Sequence, residues 1–527
     1  MNALQLFELM IAMLPVIIAL HFVAKRLGLP PAVPLLIGGA SLAFIPGLPP
    51  FTPDPELILV IFLPPLLIDG AWYMSVRSLR RHIIGVTALA VGAVLFTTIA
   101  IAVVAHWLFP TLPWAACAAL GAIVSPPDAV SARAVLQGVK LPRRLLMLLE
   151  GESLLNDATG LVLFRFAVAA AVTGSFSTAQ ALGSFVLLAT GGIAIGAAVG
   201  GLWLLIARRL GDEYLTIAAT ILVPWASYIL GEHFHVSGVM ATVTAGLICG
   251  TYQYKVFTAS TRMRANAFWA VLIFLMETTV FMLIGLSLRG VVDRVGGFGV
   301  VIEQMGGSVL LILLALLLAR FAWIFLSDAV IILLRLLGMK RYAPVGARGA
   351  AVLGWAGVRG VVTLALALSL PESFPGRDFI LVTAFAVILV TVLVQGTTLG
   401  ALIRWTGLVP PESDKTRLSM SAAEAALMQV QLQVVQSRAY DAQGSLIHPK
   451  LLEQYTKKAK AYSNFVGQES SLTANIHAHF DVVLEAIAAA RVELIRLHRL
   501  GDIDEHTMVE LGKNLDLDEL NAIAVRS

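Results

Sequence analysis

The stretch LPRRLLMLLEGESLLNDATGLVLFRFAVAA, residues 141–170, holds a cluster of polar side chains between two apolar runs. Its central part, EGESLLNDATG at 150–160, brings three acids, an amide and hydroxyl groups close together. Charged side chains are costly inside a bilayer and normally face a partner or a water-filled cavity. The stretch therefore predicts a membrane helix that carries a functional site.

The composition of the whole chain also indicates a membrane protein. Of its 527 residues, 58% are hydrophobic and 13% are charged, and the mean hydropathy is +0.85. Apolar runs of about 20 residues recur from Leu4 to Leu408, which predicts an all-α polytopic membrane protein and not a large soluble core. Lys25, the first lysine, follows the first apolar run, so we interpret that run as a retained helix and not a signal peptide. Cys117 and Cys249 lie in apolar runs and predict neither a disulfide framework nor a metal site.

Segments long and apolar enough to span a membrane follow one another up to residue 404. We predict thirteen spans, at residues 4–24, 30–48, 55–75, 83–109, 113–133, 145–172, 179–207, 213–231, 235–252, 266–288, 306–335, 348–371 and 378–404.

The basic residues between these spans predict the orientation of the chain. The loops on one side hold nineteen of them, namely Lys25, Arg26, Arg77, Arg80, Arg81, Arg133, Lys140, Arg143, Arg144, Arg208, Arg209, Lys255, Arg262, Arg264, Arg335, Lys340, Arg341, Arg348 and Arg404. The loops on the opposite side hold three, Arg289, Arg294 and Arg377. Because cytoplasmic loops carry the excess of Lys and Arg, we expect an outside N-terminus and a cytoplasmic C-terminus. The sequence pI near 9.1 thus reflects topology and not nucleic-acid binding.

A change of composition at Pro410 predicts a membrane domain at 1–409 and a cytoplasmic tail at 410–527. The tail is rich in helix formers around residues 421–439 and has apolar positions at helical spacing within 472–501. We therefore expect a small helical domain. A regulatory role and a role in assembly or solubility both remain open for it.

The fifth and twelfth spans are predicted to break inside the membrane. Pro126 and Pro127 each remove a backbone donor in the middle of the fifth span, and Asp128 follows directly. Three glycines within 354–360 weaken the middle of the twelfth span around Arg359. Interrupted helices at matching positions of two halves are typical of transporter binding sites. We infer two inverted six-helix repeats, spans 1–6 and 8–13.

Helical spacing in the sixth span separates its polar residues onto two faces. Ser153 and Asp157 share one face, whereas Glu152 and Asn156 share a neighbouring face. Carboxylates, hydroxyls and freed backbone carbonyls are hard oxygen ligands suited to a small cation. A carboxyl group removed from water also binds a proton more readily. One acidic pocket can therefore hold either a cation or a proton, which predicts antiport.

Two other classes of protein fit these features less well. An intramembrane aspartyl protease would use Asp128 and Asp157, but it would leave Ser153 and the helix breaks without a role. A cation channel is the other alternative, and its transport would depend on the membrane voltage. Exchange of K⁺ or an organic ion on the same scaffold remains open.

The buried charges of the other spans require partners. Their depths in the membrane suggest that Glu152 pairs with Arg320 and that Asp69 pairs with Arg359. Arg165 and Glu277 are not assigned partners from the sequence.

Five stretches together resemble cation:proton antiporters of the sodium/proton exchanger branch, and they cover most of residues 1–408 in family order. They are IFLPPLLIDGAWYM (61–74), VSPPDAV (124–130), GESLLNDATG (151–160), FWAVLIFLMETTVFMLIGLSL (268–288) and GVRGVVTLALALSLP (357–371).

This resemblance implies a homodimeric antiporter of a bacterial inner membrane that serves sodium transport and pH homeostasis. It implies dimerisation through spans 1–3 and 8–10 and a moving core made of spans 4–6 and 11–13. Such a protein is a transporter and not an enzyme, and it needs no cofactor besides the transported Na⁺ and H⁺. The tail would then bind a regulator or a small ligand.

The resemblance also implies the roles of individual residues. Asp157 would carry the ion and the proton, and Asp128, Ser153 and the backbone carbonyl of Pro127 would complete the Na⁺ site. Asn156 occupies the position of a second aspartate in electrogenic relatives, so the exchange would be one cation for one proton. Many members have a threonine where this chain has Pro127, which leaves the preference among Na⁺, Li⁺ and K⁺ open.

Overall fold

The structure, a computed structural model, describes residues 3–45, 54–128, 141–174, 178–337, 343–408, 420–440, 444–465, 469–500 and 502–526. The regular elements of these residues are helices, and an isolated bridge between Tyr440 and Leu446 accompanies them. The prediction of an all-α chain is therefore confirmed. Packing divides the chain into two units, residues 1–411 and 412–527.

The first unit contains the helices that correspond to the predicted spans. In chain order they are α1 (Ala3–Leu27), α2 (Ala32–Ala43), α3 (Pro55–Tyr73), α4 (Val76–Leu108), α5 (Trp114–Val124), α6 (Arg143–Thr173), α7 (Thr178–Ala207), α8 (Glu213–His233), α9 (Gly238–Val256), α10 (Ala259–Val295), α11 (Phe298–Leu336), α12 (Ala347–Trp355), α13 (Val361–Leu368) and α14 (Arg377–Thr406).

Within the described residues, eight of these helices are long and apolar enough to cross a membrane, and α2 and α5 are shorter apolar helices. The chain is a polytopic membrane protein, as predicted. The exact number of thirteen spans, the inverted repeat and the division into dimerisation and core spans stay predictions.

Both predicted interruptions are present where the structure describes the chain. Helix α5 ends at Val124, and residues 125–128 are not helical. The remainder of the predicted fifth span, from residue 129, lies outside the described residues. The predicted twelfth span consists of α12 and α13, which are separated by the non-helical residues 356–360.

A second pair of prolines does not interrupt its helix. Pro64 and Pro65 lie inside α3, which is continuous from Pro55 to Tyr73. Since Pro64 has no N–H, the carbonyl of Val60 loses its helical donor. The indole of Trp225 on α8 donates a hydrogen bond to that carbonyl at 3.0 Å. A side chain from a neighbouring helix thus compensates for the missing bond.

The second unit contains four helices in its described residues: α15 (Met420–Arg438), α16 (Pro449–Phe465), α17 (Glu469–Leu500) and α18 (Glu505–Arg526). Helices α15 and α17 coincide with the two predicted helical segments. Helices α17 and α18 are joined by an ion pair between Arg491 and Asp516 at 2.6 Å. The role of this second unit in regulation or assembly stays a prediction.

Candidate cation site

The polar residues of α6 lie on two different faces, as their spacing predicts. Ser153 and Asp157 are half-buried and line a cavity that is also bounded by α3 and α13. Glu152 and Asn156 are buried against other helices, with 1% and 0% of their surface exposed. One face of α6 is therefore open to a small ligand, and the other holds the helix in place.

The cavity has a volume of about 30 Å³, which is room for a small, water-sized guest. Its polar wall consists of Asp128, Ser153, Asp157 and, further toward the start of α6, Glu150. The apolar wall is made of the side chains of Leu63, Leu66, Leu67, Leu154, Val361 and Val362, together with Gly70. Three predicted site residues, Asp128, Ser153 and Asp157, thus face one space.

The two helix interruptions contact each other directly. The amide of Asp128 donates a hydrogen bond to the carbonyl of Val358 at 2.7 Å. In the opposite direction, Arg359 donates from Nε to the carbonyl of Val124 at 2.8 Å and from Nη2 to the carbonyl of Ser125 at 3.0 Å. Backbone groups without helical partners need others when they are buried. Each interruption supplies partners for the other, which fixes Asp128 at the cavity.

Gly360 leaves room for the Asp128 carboxylate where the two helix interruptions meet. A Cβ atom at Gly360 would overlap the side-chain oxygen Oδ2 of Asp128. The Asp128 carboxylate therefore packs directly against the backbone at the start of α13. Any larger residue at 360 would displace the carboxylate from the cavity wall.

Asn156 and Pro127 contact each other beside the cavity. The side-chain amide of Asn156 donates from Nδ2 to the carbonyl of Pro127 at 2.6 Å. The other amide atom, Oδ1, is buried and accepts no hydrogen bond from the described residues. Neither residue lines the cavity itself. Asn156 therefore supports the interruption that carries Asp128.

Glu152 and Arg320 are brought together as a buried pair. Arg320 on α11 donates from Nη1 and Nη2 to the two carboxylate oxygens of Glu152 at 2.7 and 3.0 Å. It also donates from Nε and Nη2 to the carbonyl of Leu353 on α12 at 3.2 and 3.0 Å. The bidentate geometry is that of a strong charge-assisted contact. The pair joins α6, α11 and α12 behind the cavity.

The structure does not form the predicted ion pair between Asp69 and Arg359. Within the described residues, the guanidinium of Arg359 binds carbonyls, those of Val124 and Ser125 and also that of Gly357. Helix interruptions expose carbonyl groups, and these offer a buried arginine enough acceptors without a carboxylate. Asp69 is half-buried on α3, beside the cavity residue Gly70.

Several polar residues of the membrane unit were missed or left unassigned from the sequence. Asp328 accepts hydrogen bonds from the amides of Val345 and Gly346, both at 2.7 Å, before α12 begins. An acidic residue inside the predicted span 306–335 was the available signal. Arg165 on α6 pairs with Glu232 at the end of α8 at 2.6 Å, and nothing in the sequence indicates that partner.

The chain is similar to known sodium/proton exchangers and antiporters. The sequence model described as sodium/hydrogen exchanger, transmembrane, matches residues 11–405. The sodium, potassium, lithium and rubidium/H(+) antiporter of Bacillus subtilis (strain 168) is 30% identical over 501 residues, covering 90% of this chain and 72% of the relative. The Na(+)/H(+) antiporter ApNhaP of Aphanothece halophytica is 30% identical over 481 residues, covering 89% of this chain and 88% of the relative.

The solved structure of the sodium proton antiporter MjNhaP1 from Methanocaldococcus jannaschii at pH 8 has a similar fold. The TM-score is 0.60 at 22% sequence identity, and the match covers 77% of this chain and 99% of that one. At this level of identity the likeness concerns the arrangement of the helices alone.

Proposed function

Because the chain belongs to the sodium/hydrogen exchanger family, and is thus an integral membrane protein and a cation/proton antiporter, we propose that it exchanges one Na⁺ for one H⁺. The observation that carries this proposal is the cavity where Asp128, Ser153 and Asp157 meet. These side chains offer two carboxylates and a hydroxyl to one guest. Such oxygen ligands suit an alkali cation or, at a carboxylate, a proton.

Exchange follows from a single rule of occupancy. The two carboxylates are costly in a largely apolar cavity unless a positive charge accompanies them. A bound Na⁺ or a bound proton reduces this cost, and an empty site retains it. If the helices around the site rearrange only when it is loaded, each crossing carries one cation or one proton. Alternating access of this carboxylate site then couples the two flows.

The residues around the cavity take distinct roles in this proposal. Asp157 carries the cation and the proton, and Asp128 and Ser153 supply further oxygen ligands. Asn156 holds the carbonyl of Pro127 beside the cavity and so supports the segment that carries Asp128. Glu152 and Arg320 fix α6 against α11 and α12 without contacting the guest.

The neutral side chain of Asn156 supports electroneutral exchange. A carboxylate at this position would add a negative charge and take up a second proton. Asn156 instead donates a hydrogen bond to the Pro127 carbonyl and does not titrate. The site therefore releases one proton for each monovalent cation it takes.

The assembly and orientation also belong to the proposal. We expect a homodimer in the cell membrane. Because the basic loops lie on one side, we expect the N-terminus outside and the tail in the cytoplasm. The Bacillus subtilis relative is named for sodium, potassium, lithium and rubidium. Exchange of Li⁺ or K⁺ by the same site is therefore the alternative substrate choice.

Proton efflux from acid-loaded vesicles containing the purified protein tests the proposal. We expect external NaCl to alkalinise the lumen, whereas choline chloride leaves it acidic. LiCl and KCl, applied in the same way, measure the cation preference. An imposed membrane potential should leave the Na⁺-dependent rate unchanged, because no net charge crosses. A rate that follows the potential would contradict the one-for-one stoichiometry, and equal responses to NaCl and choline chloride would contradict exchange itself.

A further inference from the structure

A π-helical segment, Thr391–Gly396, lies within α14 and contacts the interruption between α12 and α13. Helical turns of this kind are rare and occur frequently at functional sites. Thr391 begins the segment, and its side chain is buried, with 3% of the residue surface exposed. The hydroxyl of Thr391 therefore acts inside the membrane unit and not at its surface.

The Thr391 hydroxyl makes two hydrogen bonds. It donates to the carbonyl of Ile388 on its own helix at 3.3 Å, and it accepts from the backbone amide of Arg359 at 3.0 Å. Arg359 belongs to the non-helical residues 356–360, so its amide has no helical carbonyl as a partner. A buried amide without an acceptor is costly, and the Thr391 hydroxyl supplies the acceptor.

Arg359 connects this hydroxyl to the cation site. Its guanidinium binds the carbonyls of Val124 and Ser125, which precede Asp128 at the end of α5. The neighbouring carbonyl of Val358 accepts the amide of Asp128. Residues 358 and 359 thus hold the segment that presents Asp128 to the cavity, and Thr391 anchors the backbone of residue 359.

We propose that Thr391 is a positioning residue of the cation site, which sets the place of Asp128 through Arg359 without touching the cation. The proposal rests on the proposed function, because it assigns Asp128 to cation binding. Loss of the hydroxyl releases the 359 amide and lets the segment around Asp128 shift. Asp157, on the uninterrupted helix α6, keeps its place. Cation affinity therefore falls while the transport of protons through Asp157 continues.

The experiment measures the Na⁺ dependence of proton efflux for three variants in vesicles. Thr391→Val removes the hydroxyl and keeps the shape of the side chain. Thr391→Ser restores the hydroxyl. Thr383→Val is the matched control, because Thr383 lies on the same helix and its buried hydroxyl has no hydrogen-bond partner among the described residues.

We expect Thr391→Val to raise the KM for Na⁺ about five- to tenfold, with the maximal rate preserved within about twofold. Thr391→Ser and Thr383→Val should stay close to the wild-type KM. A wild-type KM in Thr391→Val, or an equal increase in Thr391→Ser, would overturn the proposal.

If Thr391→Val does not accumulate in the membrane, a fourth variant still tests the proposal. Thr391→Cys has a thiol, which is a weaker acceptor than a hydroxyl, so its KM should lie above that of Thr391→Ser. Equal KM values for these two variants would also overturn the proposal. A wild-type protein without Na⁺-dependent efflux would instead contradict the proposed function, so the two failures are distinguishable.

Discussion

An Asp157→Asn protein is expected to insert into the membrane and remain folded but to lose all Na⁺-dependent proton efflux. The substitution is isosteric, so the cavity on α6 keeps its shape. The amide carries no charge and does not bind a proton in the physiological range. It therefore removes both the negative charge that draws the cation and the proton that is exchanged for it. The measurement is the efflux rate in acid-loaded vesicles at matched protein content.

A second Asp-to-Asn substitution provides the control for this experiment. Asp54 caps the N-terminus of α3 by accepting a hydrogen bond from the amide of Glu56 at 2.9 Å. Asparagine caps helices about as well as aspartate, so Asp54→Asn should exchange at the wild-type rate. An Asp157→Asn protein that also exchanged at the wild-type rate would refute the assignment of the carrier.

The second large effect is a loss of stability, which we expect when the buried pair between Glu152 and Arg320 is broken. Glu152→Gln leaves the Arg320 guanidinium charged and without its carboxylate in an environment where only 4% of its side chain is exposed. Removal of one partner from a buried pair typically costs about 3–5 kcal/mol. We therefore expect a large fall in thermal stability of the purified protein. Adding Arg320→Gln should restore part of it, because no unpaired charge then remains.

An exposed ion pair gives the comparison for this loss. Asp293 pairs with Arg289 at 3.3 Å one helical turn away, and its side chain is 56% exposed. Such pairs contribute about 0–1 kcal/mol, so Asp293→Asn should change the melting temperature little. If Glu152→Gln destabilised the protein no more than Asp293→Asn, or if Arg320→Gln gave no rescue, the buried pair would not have the structural role assigned to it.

Proline placement shows both the strength and the limit of prediction from this sequence. The sequence predicts an interruption at Pro126 and Pro127, and α5 ends just before them. Pro64 and Pro65 form the same local pattern, yet α3 continues through them, and Trp225 donates a hydrogen bond to the Val60 carbonyl that Pro64 leaves without a helical donor. Trp225 lies 161 positions away along the chain, counted from 64 to 225, so the local sequence does not reveal this partner.

The site residues likewise include some features that the sequence predicts and others that it does not. Helical spacing along one segment suffices to separate Ser153 and Asp157 from Glu152 and Asn156. Partners across helices are harder to predict, because depth alone suggests both Glu152 with Arg320 and Asp69 with Arg359. The structure contains the first pair, whereas Arg359 binds carbonyls at the two interruptions. Residue type predicts that a broken helix frees carbonyl groups, but it does not predict which side chain will bind them.

The central claim is that a cation and a proton compete for the same carboxylate site. Calorimetric titration of the purified protein with NaCl tests it directly, in buffers of different ionisation enthalpy and over a range of pH. Competition predicts that each bound Na⁺ releases one proton. It also predicts that the apparent Kd for Na⁺ rises about tenfold for each unit of falling pH, in the acidic range where the site is protonated. Binding of Na⁺ with a Kd that does not change with pH and without proton release would contradict the claim.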